Sequence, residues 1–387
     1  MIDKTVIILG GGPAGLQVAR RVLEKTEKVR IVLVEEHTNV GLPQHCTSLV
    51  SLRGLKEDII VSERVVLNYF KGAYIYSPSG YLIVAERNDN VAAVIKRPDL
   101  EQELLENVSR SQNVDIILGK KGRMRGNIVW VNGKRISGNI VVDARGISVL
   151  RKRRNLGNSV LPALQYDIQI ENLGLETDHV YIFLGSRFST GFFAWIVPLT
   201  EDTVRIGLAS RGNVKKRLDS MLKEDLVKGL IKPIKVEKVL GGAVYTGGTV
   251  YPLVEETTAY IGDSAGQTKP TTGGGLVYLS RAAKYLAEAI VGGDLKMYER
   301  LWKKNMNREI KIQRTLRVFL NNLQDKQLDR LFKTLKEIDV EDILRREGDM
   351  DFQSQIVKKV GLKILYKDPI LAALLLKHLL GGFVATI

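Results

Sequence analysis

The segment that most limits what this chain can fold into lies at its start. Thr5-Val6-Ile7-Ile8-Leu9 is a short continuous apolar run, as expected of a parallel strand buried on both faces. Gly10-Gly11-Gly12-Pro13-Ala14-Gly15 follows directly, and a helical pattern then runs from Leu16 to about Glu24. A second apolar run, Val29 to Val34, ends in Glu35-Glu36. Strand, Gly-x-Gly-x-x-Gly, helix, strand and acid in this order predict a dinucleotide-binding βαβ unit. Gly10 permits the tight turn, Gly12 lets the backbone approach a pyrophosphate, and Gly15 lets the helix pack on the strand. Pro13 and Ala14 open the helix, whose N-terminal N–H groups and dipole suit an anion. Glu35 comes first after the second strand and is the expected ribose ligand, with Glu36 a solvated neighbour.

Which dinucleotide is bound follows from two later segments. No second Gly-x-Gly-x-x-Gly occurs, so nothing marks a separate nicotinamide domain. An apolar strand ends in Asp143-Ala144-Arg145-Gly146, followed by Ser148 and Arg151. Another leads into Gly262-Asp263-Ser264-Ala265-Gly266, then Pro270, and Gly273-Gly274-Gly275 open a helix from Leu276 to Ile290. A carboxylate at a strand's carboxyl end sits where ligands bind in open α/β sheets. Asp263 is therefore expected on a ribityl hydroxyl. The Gly274-Gly275-Leu276 backbone is expected at the side of the flavin ring that becomes negative on reduction. FAD is the predicted cofactor.

These segments carry a resemblance. The order Gly-x-Gly-x-x-Gly, Asp-Ala-x-Gly, Gly-Asp-x-Ala-Gly is similar to the FAD-dependent oxidoreductase superfamily that includes p-hydroxybenzoate hydroxylase. Within it, Gly41-Leu42-Pro43-Gln44-His45-Cys46-Thr47, Arg97-Pro98, Phe193-Ala194-Trp195-Ile196-Val197-Pro198 and Lys269-Pro270-Thr271-Thr272-Gly273-Gly274-Gly275 resemble the geranylgeranyl reductase family, of the archaeal digeranylgeranylglycerophospholipid reductase type. The likeness spans residues 1 to about 290. Phe193 stands where the family usually has Tyr, Val197 where it has Phe, and Ser264 where it has Ala. The first two changes keep an apolar surface but bear on the dimensions of a substrate tunnel.

The resemblance implies an FAD-dependent reductase that saturates isolated prenyl C=C bonds of geranylgeranyl, archaeal membrane lipids or related polyprenyl compounds. It thus implies a flavoprotein of lipid biosynthesis and phospholipid metabolism. Hydride would come from the reduced flavin and a proton from the protein. It places Cys46 beside the isoalloxazine with Thr47, as a catalytic and cofactor-contacting thiol. The residues alone favour Cys46 as a small buried hydrophobe, and it is the Pro-x-x-Cys resemblance that turns the reading to the site. His45, which can titrate near neutrality, is a second candidate proton donor. Arg97 is assigned to the flavin, where its fork suits ribityl and phosphate oxygens. Lys121 follows the strand-like segment Asp115 to Leu118 and is expected to meet the adenine through its backbone. Period-two alternation places Phe193, Trp195 and Val197 on one apolar face, the expected substrate wall.

The predicted fold class is α/β: a Rossmann-type FAD-binding domain, an inserted antiparallel-sheet substrate domain and a C-terminal helical region. The FAD-binding domain is expected over 1–70, 90–150 and 240–290. The substrate domain is expected over 71–89 and 151–239, and the helical region over 291–387. Strands are expected at 74–76, 81–84, 164–170, 180–184 and 203–208, and 308–320 reads as a basic amphipathic helix. The apolar last segment, 369–387, is broken by Lys377, His378 and two glycines, so it is expected to close the tunnel rather than span a membrane. The other reading of that segment is contact with the membrane interface.

Composition removes several classes. Hydrophobic residues at 44% and charged ones at 26% exclude disorder and a multi-span membrane protein. One cysteine excludes an internal disulfide and an iron–sulfur cluster held by this chain alone, and with it the quinone-linked electron-transfer flavoproteins. No metal site is expected. No Gly-x-Trp-x-Trp-x-Ile segment supports a halogenase, so the competing enzyme is a flavin monooxygenase acting on a hydrophobic substrate. The net charge of +15 suits peripheral contact with an anionic membrane. No reader motif accompanies it, so nucleic acid is not expected as a partner. The start Met1-Ile2-Asp3-Lys4 carries no signal-peptide pattern, and a cytoplasmic protein at the inner face of the membrane is expected. The expected partners are a prenylated lipid and an electron donor, namely ferredoxin, a quinol or NAD(P)H.

Overall fold

A computed structural model of the chain describes residues 2–384. The first part holds β1 (Lys4–Leu9), α1 (Pro13–Leu23), β2 (Val29–Val34), β3 (Leu49–Ser51) and β4 (Val66–Phe70). Next come β5 (Gly72–Tyr76), β6 (Leu82–Glu86), β7 (Ala92–Ile95), α2 (Arg97–Ser109) and β8 (Val114–Ile117). A three-stranded meander, β9 (Gly122–Arg125), β10 (Ile128–Val131) and β11 (Lys134–Ser137), leads to β12 (Ile140–Asp143). The middle is β-rich: β13 (Val160–Asn172), β14 (His179–Phe183), β15 (Ala194–Pro198), β16 (Thr203–Ala209), β17 (Ile231–Tyr245), β18 (Val254–Glu255) and β19 (Thr258–Tyr260). The remainder is helical: α3 (Leu276–Gly292), α4 (Lys296–Asn322), α5 (Asp325–Glu337), α6 (Val340–Glu347), α7 (Ser354–Lys367) and α8 (Pro369–Val384). Among the described residues no helix is long and apolar enough to cross a membrane.

The first sheet has the order β18-β19-β12-β1-β2-β8, with β1 parallel to both β12 and β2. Its central strand is apolar throughout because both faces are covered. Val6 and Ile8 pack with α1 and α3, while Ile7 and Leu9 pack under Val129 and Val131 of the meander. Parallel pairing also lines up the strand ends. Leu9 pairs with Val34 and Asp143, and Asp143 pairs with Tyr260. The residues that follow each strand, Gly10, Glu35, Ala144 and the Gly262-Asp263 turn, therefore emerge along one edge of the sheet.

The second sheet runs β17-β13-β16-β15-β14-β5-β6 and is antiparallel except where β14 meets β5. The expected strand over 164–170 is the middle of the longer β13. β17 forms a long, exposed edge, interrupted by Pro233, Lys235 and Lys238 and by register shifts against β13. These are the features that discourage pairing with another chain. A small third sheet, β3-β7-β4, falls between β2 and β8 of the first sheet in sequence and is interleaved with β5 and β6 of the second.

The helices after α3 are fastened to the first sheet. Trp302, Met306 and Ile310 of α4 are buried in the core around α3. The α6–α7 connection brings Asp351 to Lys269, with Nζ and Oδ1 2.8 Å apart and both side chains at most 5% exposed. Ser51 Oγ donates to the other Asp351 oxygen, while Tyr278 Oη and Gln313 Nε2 donate to the Asp351 main-chain carbonyl, each at 3.0 Å. Burial raises the Asp351 pKa, but Lys269 and Ser51 outweigh it and hold the carboxyl below its usual value.

A buried pair of this kind costs about 3–5 kcal/mol to break from one side. Asp351→Asn is accordingly expected to lower the thermal midpoint clearly at neutral pH. Because the folded-state pKa is depressed, the wild-type contribution is present above about pH 4 and is lost as pH falls further. The difference in midpoint between variant and wild type should therefore narrow below about pH 4, and a gap that holds constant there would show that the charge on Asp351 is not what matters.

Candidate active site

One cavity of about 1690 Å³ runs from the carboxyl edge of the first sheet to the C-terminal helices. Ordinary ligand pockets are about 300–1,000 Å³, so this one has room for a second molecule beside a first. Its two ends differ in chemistry.

The first end is polar and surrounds the glycine turn. At Gly15 a Cβ would sit 2.0 Å from the Gly10 carbonyl, so only glycine lets α1 close on β1. Gly15 does not line the cavity; its role is packing. A Cβ at Gly12 would meet nothing within 4 Å, because it would project into the cavity. α1 has no side-chain N-cap, so its first-turn N–H groups remain for an anion. Gly10, Gly12, Pro13 and Ala14 all line this end. The room beside Gly12, the uncapped helix and an acid at the next strand end fit a dinucleotide pyrophosphate and ribose.

Glu35 stands at that strand end with one oxygen 2.7 Å from Gly11 N and the other 2.8 Å from His37 N and 2.7 Å from its Nδ1. These bonds orient the carboxylate and leave acceptor capacity on each oxygen. Glu36 pairs with Lys121 at 2.8 Å, and both line the cavity. Asp143 is held bidentately by Arg145, at 2.9 and 2.6 Å, an arrangement within Asp-Ala-Arg-Gly that the sequence reading left without a role.

Deeper in, Asp263 and Arg97 face the same space. Asp263 is open to the cavity yet deep within the fold, and burial pushes its carboxyl up while Arg97 draws it down. The Arg97 fork grips Glu101 one turn later in α2. Burial lowers the Arg97 pKa, but Glu101 and Cys46 beside it raise it on balance. Gly274, Gly275 and Leu276 line the cavity at the start of α3, again without a side-chain cap.

Cys46 lies where the two ends meet. Its Sγ accepts the Ser48 N–H at 3.2 Å and neighbours the Arg97 guanidinium. His45 Nδ1 is 2.5 Å from the Gly241 carbonyl, which can only accept, so Nδ1 carries a proton and Nε2 is the atom left to exchange one. Thr47 Oγ1 donates to Gln165 at 2.9 Å, and Arg205 donates to the Thr47 carbonyl at 3.0 Å. Arg205 is locked in turn against Asp167 at 2.7 and 2.8 Å. Gln165, Asp167 and Arg205 thus seat the cysteine loop on β13 and β16. Their polar, inward positions in otherwise apolar strands were the signal that could have marked them.

The second end is hydrocarbon. Phe193, Trp195 and Val197 line it together, and Ala194 and Ile196 turn into the other core, as alternation predicts. Phe192 lines it too, stacked on Phe193 with centroids 4.1 Å apart. The opposite wall is helical: Leu316 and Leu320 of α4, Leu331, Phe332 and Leu335 of α5, and Val357, Val360 and Ile364 of α7. The 328, 331, 332 and 335 spacing in α5 could have identified this wall from sequence. Arg317 sits behind Phe192, 4.5 Å from its centroid, and donates to the carbonyls of Pro270 and Thr271. Burial pulls its pKa down to about 9. The segment expected to close the tunnel supplies Leu375 to the wall, with Leu371 and Ala372 buried behind it. Residues 385–387 of that segment lie outside the described residues.

Known proteins resemble the chain over most of its length. The family described as lycopene cyclase protein matches residues 5–349. A digeranylgeranylglycerophospholipid reductase of Methanothrix thermoacetophila is 25% identical over 370 residues, covering 87% of this chain and 92% of the relative. The crystal structure of a geranylgeranyl bacteriochlorophyll reductase-like protein from Thermoplasma acidophilum superposes with a TM-score of 0.79 at 22% identity, covering 98% of this chain and all of that one. A flavin-dependent brominase shares the fold at a TM-score of 0.67 and 15% identity, over 90% of this chain and 94% of its own.

Substitution at the glycine turn separates binding from folding. Gly12→Val should leave the thermal midpoint near wild type and weaken flavin affinity by about tenfold or more, read by quenching of flavin fluorescence, since the new side chain fills the anion cradle. Full affinity in the variant would place the pyrophosphate elsewhere.

Proposed function

The chain belongs to the lycopene cyclase protein family, and from that premise we propose that it is an FAD-dependent reductase saturating isolated prenyl C=C bonds of geranylgeranyl lipids or related polyprenyl compounds. The observation that carries this reading is the continuity of the cavity, from groups suited to pyrophosphate and ribose into space walled by hydrocarbon. Likeness to a relative named as a digeranylgeranylglycerophospholipid reductase supports it. Bound FAD in its reduced form would supply hydride to one alkene carbon. The other carbon requires a proton, and an external donor, of the ferredoxin, quinol or nicotinamide kind, must return the electron pair after each turnover.

An isolated alkene has no carbonyl on which negative charge can develop, so the chain needs no oxyanion hole. Position, dryness and a proton source remain. Position comes from burying prenyl methylenes along Trp195, Val197 and the α5 and α7 walls, at about 0.8 kcal/mol for each CH₂. The same walls exclude water. The proton has two candidate sources at the junction, the Cys46 thiol and His45 Nε2. Arg97 and the Ser48 N–H hold Cys46, and Gly241 fixes the His45 tautomer. Asp263, Arg97 and the Gly274-Gly275-Leu276 backbone would hold the flavin, with the Gly12 turn and Glu35 on its dinucleotide part and Lys121 by the adenine.

A flavin monooxygenase on a hydrophobic substrate is the alternative, and the fold shared with a flavin-dependent brominase keeps it in view. Anaerobic incubation of dithionite-reduced protein with digeranylgeranyl phospholipid, followed by mass analysis, separates the two. Addition of hydrogen pairs is expected, and an unchanged lipid that gains oxygen only in air would overturn the reading. Cys46→Ala should keep its flavin and lose turnover by about 100-fold or more, the scale of a lost proton donor. Unchanged turnover would reduce Cys46 to packing and leave His45 as the donor.

A further inference from the structure

The corner between α7 and α8 has a surface that folding alone does not account for. On α7, Leu362, Leu365 and Tyr366 are 52%, 43% and 87% exposed, and Ile370, at the start of α8, is 57% exposed. Their i, i+3, i+4 spacing puts the first three on one face. The corner is pinned rather than frayed. Asp368 accepts from the Leu371 N–H at 3.1 Å and is gripped by Arg330, and Leu375 of α8 packs back beside Gly361.

The other side of α7 is also apolar, because Val357, Val360 and Ile364 line the cavity. A helix at the surface of a globular protein buries one apolar stripe and wets the rest. α7 instead carries apolar side chains inward and outward, separated by exposed Lys358, Lys359, Lys363 and Lys367. Residues 354–370 hold these four lysines and one acid, Asp368. Lys359 and Lys367 pair with Glu347 and Glu337 of neighbouring helices, whereas no ion pair among the described residues includes Lys358 or Lys363.

We propose that this corner docks the protein on an anionic phospholipid bilayer. Leu362, Leu365, Tyr366 and Ile370 enter the boundary between headgroups and acyl chains, and the lysines meet the phosphates. Docking there sets α7, one wall of the cavity, against the bilayer, so that a chain leaving the membrane has one helix to pass. What passes rests on the prenyl-lipid reading; the docking itself does not.

Flotation of the full-length, flavin-loaded protein with vesicles tests the proposal, using equal parts phosphatidylglycerol and phosphatidylcholine against phosphatidylcholine alone. Wild type is expected to float with the anionic vesicles and to release at high salt. The combined variant Leu362→Ser, Tyr366→Ser, Ile370→Ser should float about tenfold less, with unchanged thermal midpoint and flavin content. Lys358→Gln with Lys363→Gln should weaken flotation chiefly at low salt. Ile234→Ser with Val239→Ser removes exposed apolar surface from the β17 edge instead and should change nothing. Flotation of the triple variant at wild-type level would overturn the proposal. So would failure of wild type to float, or a triple variant that only shifts from dimer to monomer, which would mean a second copy covers the corner. In detergent micelles the triple variant should reduce geranylgeranyl lipid as wild type does. If wild type itself shows no reduction there, the functional reading fails and the flotation result still decides the docking.

Discussion

An unpaired charge is costly beside a channel walled by hydrocarbon, and the pair between Lys269 and Asp351 is where this protein meets that constraint. Lys269 belongs to the loop that ends in three glycines, with its stem against Gly274, and Asp351 belongs to the connection between two C-terminal helices. Their pairing neutralises a cation that would otherwise lie bare in the cavity wall. It also makes the triple-glycine loop and the tunnel one object, because moving either half exposes a buried charge. Arg317 adds a second tie, from α4 to the carbonyls of Pro270 and Thr271 and to the face of Phe192.

Around this fastening the polar end follows from strand register. Once β1, β2, β12 and β19 pair in parallel, the glycine turn, Glu35, Asp143 and Asp263 must leave the sheet on the same edge. The cysteine loop is different, since it does not follow a strand of the first sheet. It is seated by Gln165 and Arg205 from the second sheet, with Asp167 holding Arg205 in place. Cys46 therefore stands at the boundary between the groups that suit a flavin and the walls that suit a prenyl chain.

The polar end was legible in the sequence because its signals are local. A turn needing glycine at Gly10 and Gly15, an acid one strand later and a Gly-Asp strand end each declare themselves within a few residues. The face carrying Phe193, Trp195 and Val197 was legible through alternation. What escaped was whatever depends on distant partners. Nothing near Asp351 in sequence points to Lys269, and Arg205 looks like an interrupted apolar strand until Asp167 is set opposite it. Phe192 suits core as readily as a cavity wall until the structure sets it on the cavity beside Phe193, with Arg317 of α4 behind it. The helical wall was half visible, since the spacing in α5 shows an apolar stripe but not what the stripe faces.

Reduction of a prenyl chain requires that electrons leave this site for carbon. Stopped-flow mixing of the reduced, flavin-loaded protein with geranylgeranyl lipid under strict anaerobiosis reads that directly from the flavin's absorbance. Reoxidation of the flavin by the lipid, with no oxygen present, is the predicted result. A flavin that stays reduced until oxygen is admitted would contradict it.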